Sequence, residues 1–76
     1  MSRLRHKGVY KLPHGQREVF AVKVGGEEYF LYDADYGFRI PPRYKVNPDR
    51  RLTNWFDDFP VWKVEDLTDT GETYQA

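Results

Sequence analysis

Aromatic and arginine side chains concentrate in one short segment, residues 36–44 (YGFRIPPRY). Interface hot spots and base-stacking surfaces both use large rings together with guanidinium groups. The segment is therefore predicted to contact a partner through five residues: Tyr36, Phe38, Arg39, Arg43 and Tyr44. The alternative, which is the more ordinary interpretation, is that the segment plugs an open end of a barrel while each arginine caps an aspartate.

Other residue types that could do chemistry are scattered along the chain. His6 and His14 do not stand beside a serine, a cysteine or each other in a recognisable motif, so solvated tail and turn roles are expected for them. The loop carboxylates do not have EF-hand spacing and fit ordinary turn chemistry; they are Asp33, Asp35, Asp57 and Asp58. Gly25-Gly26 fits a hairpin rather than a phosphate cradle. No catalytic residue, metal site or cofactor is predicted.

The two tryptophans, Trp55 and Trp62, can be core residues or contact residues. The chain has few aliphatic side chains, so both are expected mainly in the core, with one partly exposed. Lys45 and Arg51 are close enough in sequence to Trp55 to permit a cation–π contact.

Length and composition indicate a single small domain. A chain of 76 residues buries only about 60% of the surface that its unfolded form would expose. Cysteine is absent, which excludes disulfides and thiolate metal sites and fits a reducing compartment. Aromatic residues make up 17% of the sequence and offer large buried area at little cost in rotamer entropy.

The charge balance excludes strong polyanion binding by bulk charge, because twelve Lys and Arg residues match twelve Asp and Glu residues. The charges are unevenly distributed, with a basic N-terminus and an acidic C-terminal third. The N-terminus lacks the apolar run of a signal peptide, and no apolar segment approaches membrane-spanning length. A cytoplasmic location is expected.

Alternating apolar residues and turn signals predict six strands at most. They are expected at about residues 8–12, 17–24, 27–33, 43–46, 51–55 and 61–64, with one helical turn over 64–67. Residues 1–7 are expected to form a flexible N-terminus and residues 68–76 a loose C-terminal tail, because both lack an apolar period. The single β-domain would then span residues 8–67.

Hairpin geometry predicts how the first three strands pair. A His14-Gly15 tip places Val9 opposite Phe20, and a two-residue Gly25-Gly26 loop places Leu31 opposite Phe20. Residues 19–32 carry apolar or aromatic groups on both faces of the predicted strands. Each face therefore needs a cover, supplied by the rest of the fold or by a partner.

These features predict an all-β fold: a small five- or six-stranded antiparallel barrel with a short C-terminal turn. The shape is similar to that of SH3-like domains, which is an analogy of fold and carries no function. The predicted function is a non-enzymatic binding module for a protein or peptide partner. Two alternatives stay open: a nucleic-acid-binding barrel that uses residues 36–44 with the basic N-terminus, and a homo-oligomer that hides its second apolar face.

Overall fold

A computed structural model describes residues 4–15 and 17–75. It contains seven β-strands, and each predicted strand lies within one residue of an observed one. The strands are β1 (Gly8–Lys11), β2 (Glu18–Gly25), β3 (Glu28–Asp33), β4 (Tyr44–Val46), β5 (Arg51–Asn54), β6 (Pro60–Lys63) and β7 (Thr68–Thr73). Two 3-10 turns, Gly37–Arg39 and Val64–Asp66, supply the only helical geometry among the described residues.

All seven strands belong to one antiparallel sheet in the order β6-β5-β4-β3-β2-β1-β7. The sheet curls into a half-barrel whose two edges are β6 and β7. Strand twist produces this curl, and an inner and an outer face result. The all-β prediction is confirmed, and the number of strands differs from the predicted five or six.

The additional strand corrects the prediction of a loose tail at residues 68–76. Thr68–Thr73 pairs with β1 instead, with Tyr10 opposite Asp69. A polar strand at a sheet edge needs no apolar period, because its backbone supplies the hydrogen bonds and its side chains face water. Periodicity in the sequence therefore gave no sign of it.

The segment before β1 also packs on the sheet. Leu4 is buried in the core, and its carbonyl accepts a hydrogen bond from the Tyr29 hydroxyl at 3.0 Å. Arg5 donates two side-chain hydrogen bonds to Asp69, at 2.7 and 3.2 Å, and so joins this segment to β7. Part of the predicted flexible N-terminus, residues 4–7, thus has defined contacts; residues 1–3 lie outside the described residues.

The register of the first hairpin is confirmed, and that of the second is wrong by one residue. Phe20 lies opposite Val9 as predicted, but Tyr32 rather than Leu31 is its partner on β3. The cause is the position of the turn: Gly25 pairs with Glu28, so the loop begins one residue later than expected, and a bulge between Lys23 and Gly25 offsets half of the resulting change in register. A bulge adds one residue to one strand and shifts the pairing beyond it.

The inner face of the half-barrel holds the main core. Side chains from five strands meet there with Leu4 and Val64; the strand residues are Tyr10, Val19, Ala21, Leu31, Val46 and Leu52. Leu12, just after β1, belongs to the same cluster. Because side chains alternate along a strand, this arrangement places Phe20, Val22 and Phe30 on the outer face.

The outer face is covered in part by the chain itself. Phe20 is fully buried although it lies outside the main core. Tyr74 stacks on its ring with centroids 3.8 Å apart, Tyr32 stacks at 5.5 Å, and Phe38 meets it edge-on at 5.3 Å. These four residues form an aromatic cluster, here called the Phe20 cluster. The fold therefore supplies, at Phe20, the cover that the two-sided apolar pattern requires.

Candidate partner-binding surface

Tyr36 and Phe38 lie at the 3-10 turn that follows β3, and each is about half exposed, at 53% and 52%. Gly37 between them has a φ of 60°, in the left-handed region that suits glycine. Its missing side chain leaves room for the Tyr74 hydroxyl. The turn is thereby packed against the Phe20 cluster while part of each aromatic residue remains open to solvent.

Arg39 and Arg43 lie at either end of the connection between this turn and β4. Arg39 is exposed and Arg43 is half-buried. The Arg43 amide donates to the Leu31 carbonyl at 2.7 Å, and the Arg43 carbonyl accepts from the Trp55 amide at 3.1 Å. These bonds fix Arg43 as an extension of β4. By alternation its side chain shares the outer face with that of Lys45.

Tyr44 is separated from the other predicted contact residues. It pairs with Leu31 and Asn54 in the sheet and packs on the inner core, and its ring meets that of Trp62 at 5.4 Å. The structure therefore brings Phe38 and Arg43 to the outer side and places Tyr44 on the opposite face. The period-two alternation of a strand separates neighbours in sequence in this way.

Three further residues complete the outer surface beside Arg43. Phe30 pairs with Lys45 across β3 and β4, and the ring of Trp55 meets the ring of Phe30 edge-on at 4.7 Å. All three side chains are half-buried. We call the set Phe30, Arg43, Lys45 and Trp55 the outer strip. Phe30 has no place in a motif, so only the pairing of β3 with β4 could have identified it.

The cations of the outer strip have no carboxylate partner within the described ranges. Neither Arg43 nor Lys45 makes an ion pair there. Other cations are neutralised locally, as in the 2.8 Å pair between Arg17 and the buried Asp33. The two positive charges of the strip favour partners with negative groups, and the aromatic rings beside them favour partners with apolar groups.

The turn that joins β5 to β6 projects the most exposed large apolar side chains. Phe56 is 84% exposed and Phe59 is 66% exposed. Asp57 and Asp58 lie between them. The turn begins at Trp55 and so continues from the end of the outer strip. The sequence predicts only that residues 56–60 connect two strands, and the exposure of Phe56 and Phe59 is a property that the three-dimensional structure adds.

Asp33 and His6, two of the residues that could do chemistry, have structural partners. Asp33 is buried, and its second oxygen accepts the Asp35 amide at 2.8 Å. The Nδ1 atom of His6 accepts the Lys23 amide at 3.1 Å. No group of three or more potential metal-ligating side chains occurs within residues 4–15 and 17–75. These hydrogen bonds account for the positions of Asp33 and His6 within the fold.

Two ion pairs lower the pKa values of the carboxyls that take part in them. The hydrogen bond from Arg5, helped by the Gly71 amide, holds the pKa of the Asp69 carboxyl below its ordinary value. The hydrogen bond from Arg50 lowers the pKa of Glu65 in the same way. Both pairs join segments distant in sequence, so they fasten β7 and the Val64–Asp66 turn to the sheet.

One end of the inner face opens into a cavity of about 190 Å³. Its lining includes Leu4, Lys23, Tyr29, Asn47 and Val64. Pockets that enclose drug-sized ligands usually have about 300–1,000 Å³, so this cavity is small for that purpose. The outer strip is the better candidate for a functional surface because it combines partly accessible rings with two cations that make no ion pair among the described residues.

The part of the chain that the structure describes contains no helix that is long and apolar enough to cross a membrane. Comparison with known protein families, curated proteins and solved structures finds no match to this chain.

Proposed function

We propose that this protein is a non-enzymatic binding module that recognises a protein or peptide partner through the outer strip and the neighbouring Phe38. The observation that carries the proposal is the half-buried pair of rings, Phe30 and Trp55, beside the cations Arg43 and Lys45, which make no ion pair among the described residues. Aromatic and arginine side chains contribute much of the energy of protein interfaces.

The preferred partner segment is extended, with apolar side chains for the rings and carboxylates for the cations. The strip runs across three adjacent strands, so it offers a broad and shallow surface rather than an enclosed pocket. Shallow surfaces of this kind suit a chain segment better than a small molecule. The overall neutrality of the protein favours such a partner over a polyanion.

Selection from a random peptide library displayed on phage tests the proposal. The enriched peptides should combine acidic and aromatic residues, and calorimetry with one synthetic peptide then reports affinity. Arg43→Ala and Lys45→Ala should each weaken binding about five- to tenfold, which corresponds to about 1–1.4 kcal/mol. Lys23→Ala is the matched control, since Lys23 lines the cavity on the inner side. Selected peptides that bind all variants equally would refute the assignment of the site.

The same calorimetry, repeated with Phe38→Ala, separates contact from packing. A contact role predicts weaker peptide binding with little change in melting temperature. A purely packing role, closer to the plug interpretation, predicts a lower melting temperature and weaker binding only as a consequence. Because half of Phe38 is exposed and its ring also touches Phe20 and Tyr32, we expect both effects to be measurable.

A single-stranded nucleic acid is the second candidate partner, favoured by the position of four cations on the outer side of β4, β5 and β6. These are Arg43, Lys45, Arg51 and Lys63, placed there by the pairing of Lys45 with Thr53 and of Arg51 with Lys63. Rings beside cations can stack bases. Oligonucleotide affinity that falls steeply with added salt would support this candidate over the peptide.

An SH3-like arrangement and a cytoplasmic location belong to the same proposal. The curled antiparallel sheet supports the first as an analogy of shape, and the cysteine-free composition supports the second. Cell fractionation with an antibody to the protein tests the location directly.

A further inference from the structure

The turn between β5 and β6, residues 55–59, has the chemistry that the outer strip would bind. It presents two exposed rings, Phe56 and Phe59, with the carboxylates of Asp57 and Asp58 between them. The outer strip presents two rings and two cations that have no carboxylate partner in the part of the chain that the structure describes. The two surfaces are therefore complementary in charge and alike in apolar character.

The turn is held rigidly enough to act as a preformed contact. The Asn54 amide donates to the Phe59 carbonyl at 2.9 Å, and the Asp58 amide donates to the Asn54 carbonyl at 3.1 Å. The Phe59 amide donates to Oδ1 of Asp57 at 3.0 Å. A segment that is ordered before binding loses less conformational entropy when it binds. The exposed rings are thus presented by a fixed backbone.

Trp55 belongs to both surfaces, because it ends the outer strip and begins the turn. A contact in which each of two molecules places its turn on the strip of the other is therefore compatible with two-fold symmetry. Such an isologous contact closes on itself and produces a dimer rather than a filament. The zero net charge of the chain removes the general repulsion that would oppose self-association.

We propose that a second copy of this chain occupies the outer strip, with the β5–β6 turn of each molecule seated on the Phe30, Arg43, Lys45 and Trp55 surface of the other. Phe56 and Phe59 contact the rings, and Asp57 and Asp58 face the cations. This inference rests on the proposed function, since it names the partner segment that the same strip binds. The strip and the turn of each copy are buried together in the dimer.

Sedimentation equilibrium over a wide range of protein concentration tests the proposal. We expect a reversible monomer–dimer equilibrium that is weakened about tenfold or more by the double variant Phe56→Ser, Phe59→Ser. The double variant Arg43→Glu, Lys45→Glu should have the same effect. Val24→Ser and Lys23→Glu are matched controls, because they change an exposed apolar residue and a cation away from the strip. Melting curves establish that every variant is folded.

Charge reversal on both surfaces gives the sharper experiment. A variant with Asp57→Lys and Asp58→Lys should be monomeric alone, as should the Arg43→Glu, Lys45→Glu variant. Mixing the two should produce a heterodimer, because both turn-to-strip contacts are then complementary: the reversed turn meets the reversed strip, and the unchanged turn meets the unchanged strip. The proposal would be overturned by a chain that stays monomeric up to about 1 mM. A dissociation constant of that size corresponds to a binding free energy of about 4 kcal/mol. A dimer unchanged by both surface variants would also overturn the proposal.

The peptide assay distinguishes failure of this inference from failure of the proposed function. If the chain is monomeric but a selected peptide binds in a manner sensitive to Lys45→Ala, then the strip is a binding surface and its partner is not a second copy. If the chain is monomeric and no peptide depends on Lys45, then both proposals fail.

Discussion

Phe20 is the residue at which the stability of the outer face can be tested most directly. Its side chain is fully buried, yet it packs against Tyr32, Phe38 and Tyr74 rather than against the main core. We predict that Phe20→Ala lowers the free energy of unfolding by about 3–5 kcal/mol.

That magnitude follows from the contacts of the ring. Removing a fully buried phenylalanine side chain from its apolar surroundings costs about 1.5–3 kcal/mol. Each lost aromatic pair adds about 0.5–1.5 kcal/mol, and the stacked contact with Tyr74 is the closest of the three. A domain of 76 residues has a total stability of about 4–11 kcal/mol, so Phe20→Ala removes a large share of it.

Urea denaturation followed by tryptophan fluorescence measures the effect. Phe20→Leu keeps most of the apolar volume and should cost about 1–1.5 kcal/mol, which provides a folded variant if Phe20→Ala does not fold. Phe56→Ala is the control for loss of an exposed ring and should change stability by no more than about 0.5 kcal/mol at concentrations where the chain is monomeric. A loss below 1 kcal/mol for Phe20→Ala would refute the aromatic cover of the outer face.

Three further predictions concern the fastening of β7. Tyr74→Ala should lower stability by about 2 kcal/mol in thermal melts, because loss of the stacked ring exposes Phe20 to water. An unchanged melting curve would mean that residues 70–76 are dispensable for stability. Gly37→Ala should cost about 1–2 kcal/mol from the left-handed φ alone and more from contact with the Tyr74 hydroxyl, so the cost should be smaller when Tyr74 is already alanine. Finally, the pKa of Asp69 is lowered in the folded state, so its stabilising effect is present above its ordinary pKa and is lost as the pH falls below about 4. The melting temperatures of the parent and of Asp69→Asn should therefore differ at pH 7, and the difference should shrink steadily as the pH falls below about 4. A difference that stays constant with pH would contradict the ion pair with Arg5.

The strand positions could be predicted from the sequence because β-branched and aromatic runs alternate with Gly, Pro and Asn turn signals. The register of the second hairpin could not, since the turn lies one residue later than expected and neither that shift nor the bulge beside it leaves a residue signature beyond the two glycines. With two adjacent glycines, either one can end the strand. A Gly25-Gly26 loop would place Lys23 opposite Glu28, and this favourable pair of opposite charges supports that loop from the sequence. The structure instead pairs Lys23 with Tyr29.

The candidate surface was predictable in part for a related reason. The aromatic and arginine content of residues 36–44 predicts contacts at Phe38 and Arg43, and both residues lie on the outer side of the sheet. Tyr44 faces the core because it follows Arg43 directly in an extended segment. Phe30 and Trp55 reach the same surface only through the pairing of β3, β4 and β5, and such pairing between distant segments is not encoded locally.

The two indole N–H signals in a proton–nitrogen NMR spectrum test the central claim most directly, because Trp55 lies at the outer strip and Trp62 packs on the inner core. A selected peptide is titrated into ¹⁵N-labelled protein at a concentration where the chain is monomeric. The binding function proposed for the outer strip predicts that the Trp55 signal shifts with the peptide while the Trp62 signal stays in place. A shift of the Trp62 signal with no change at Trp55 would contradict it.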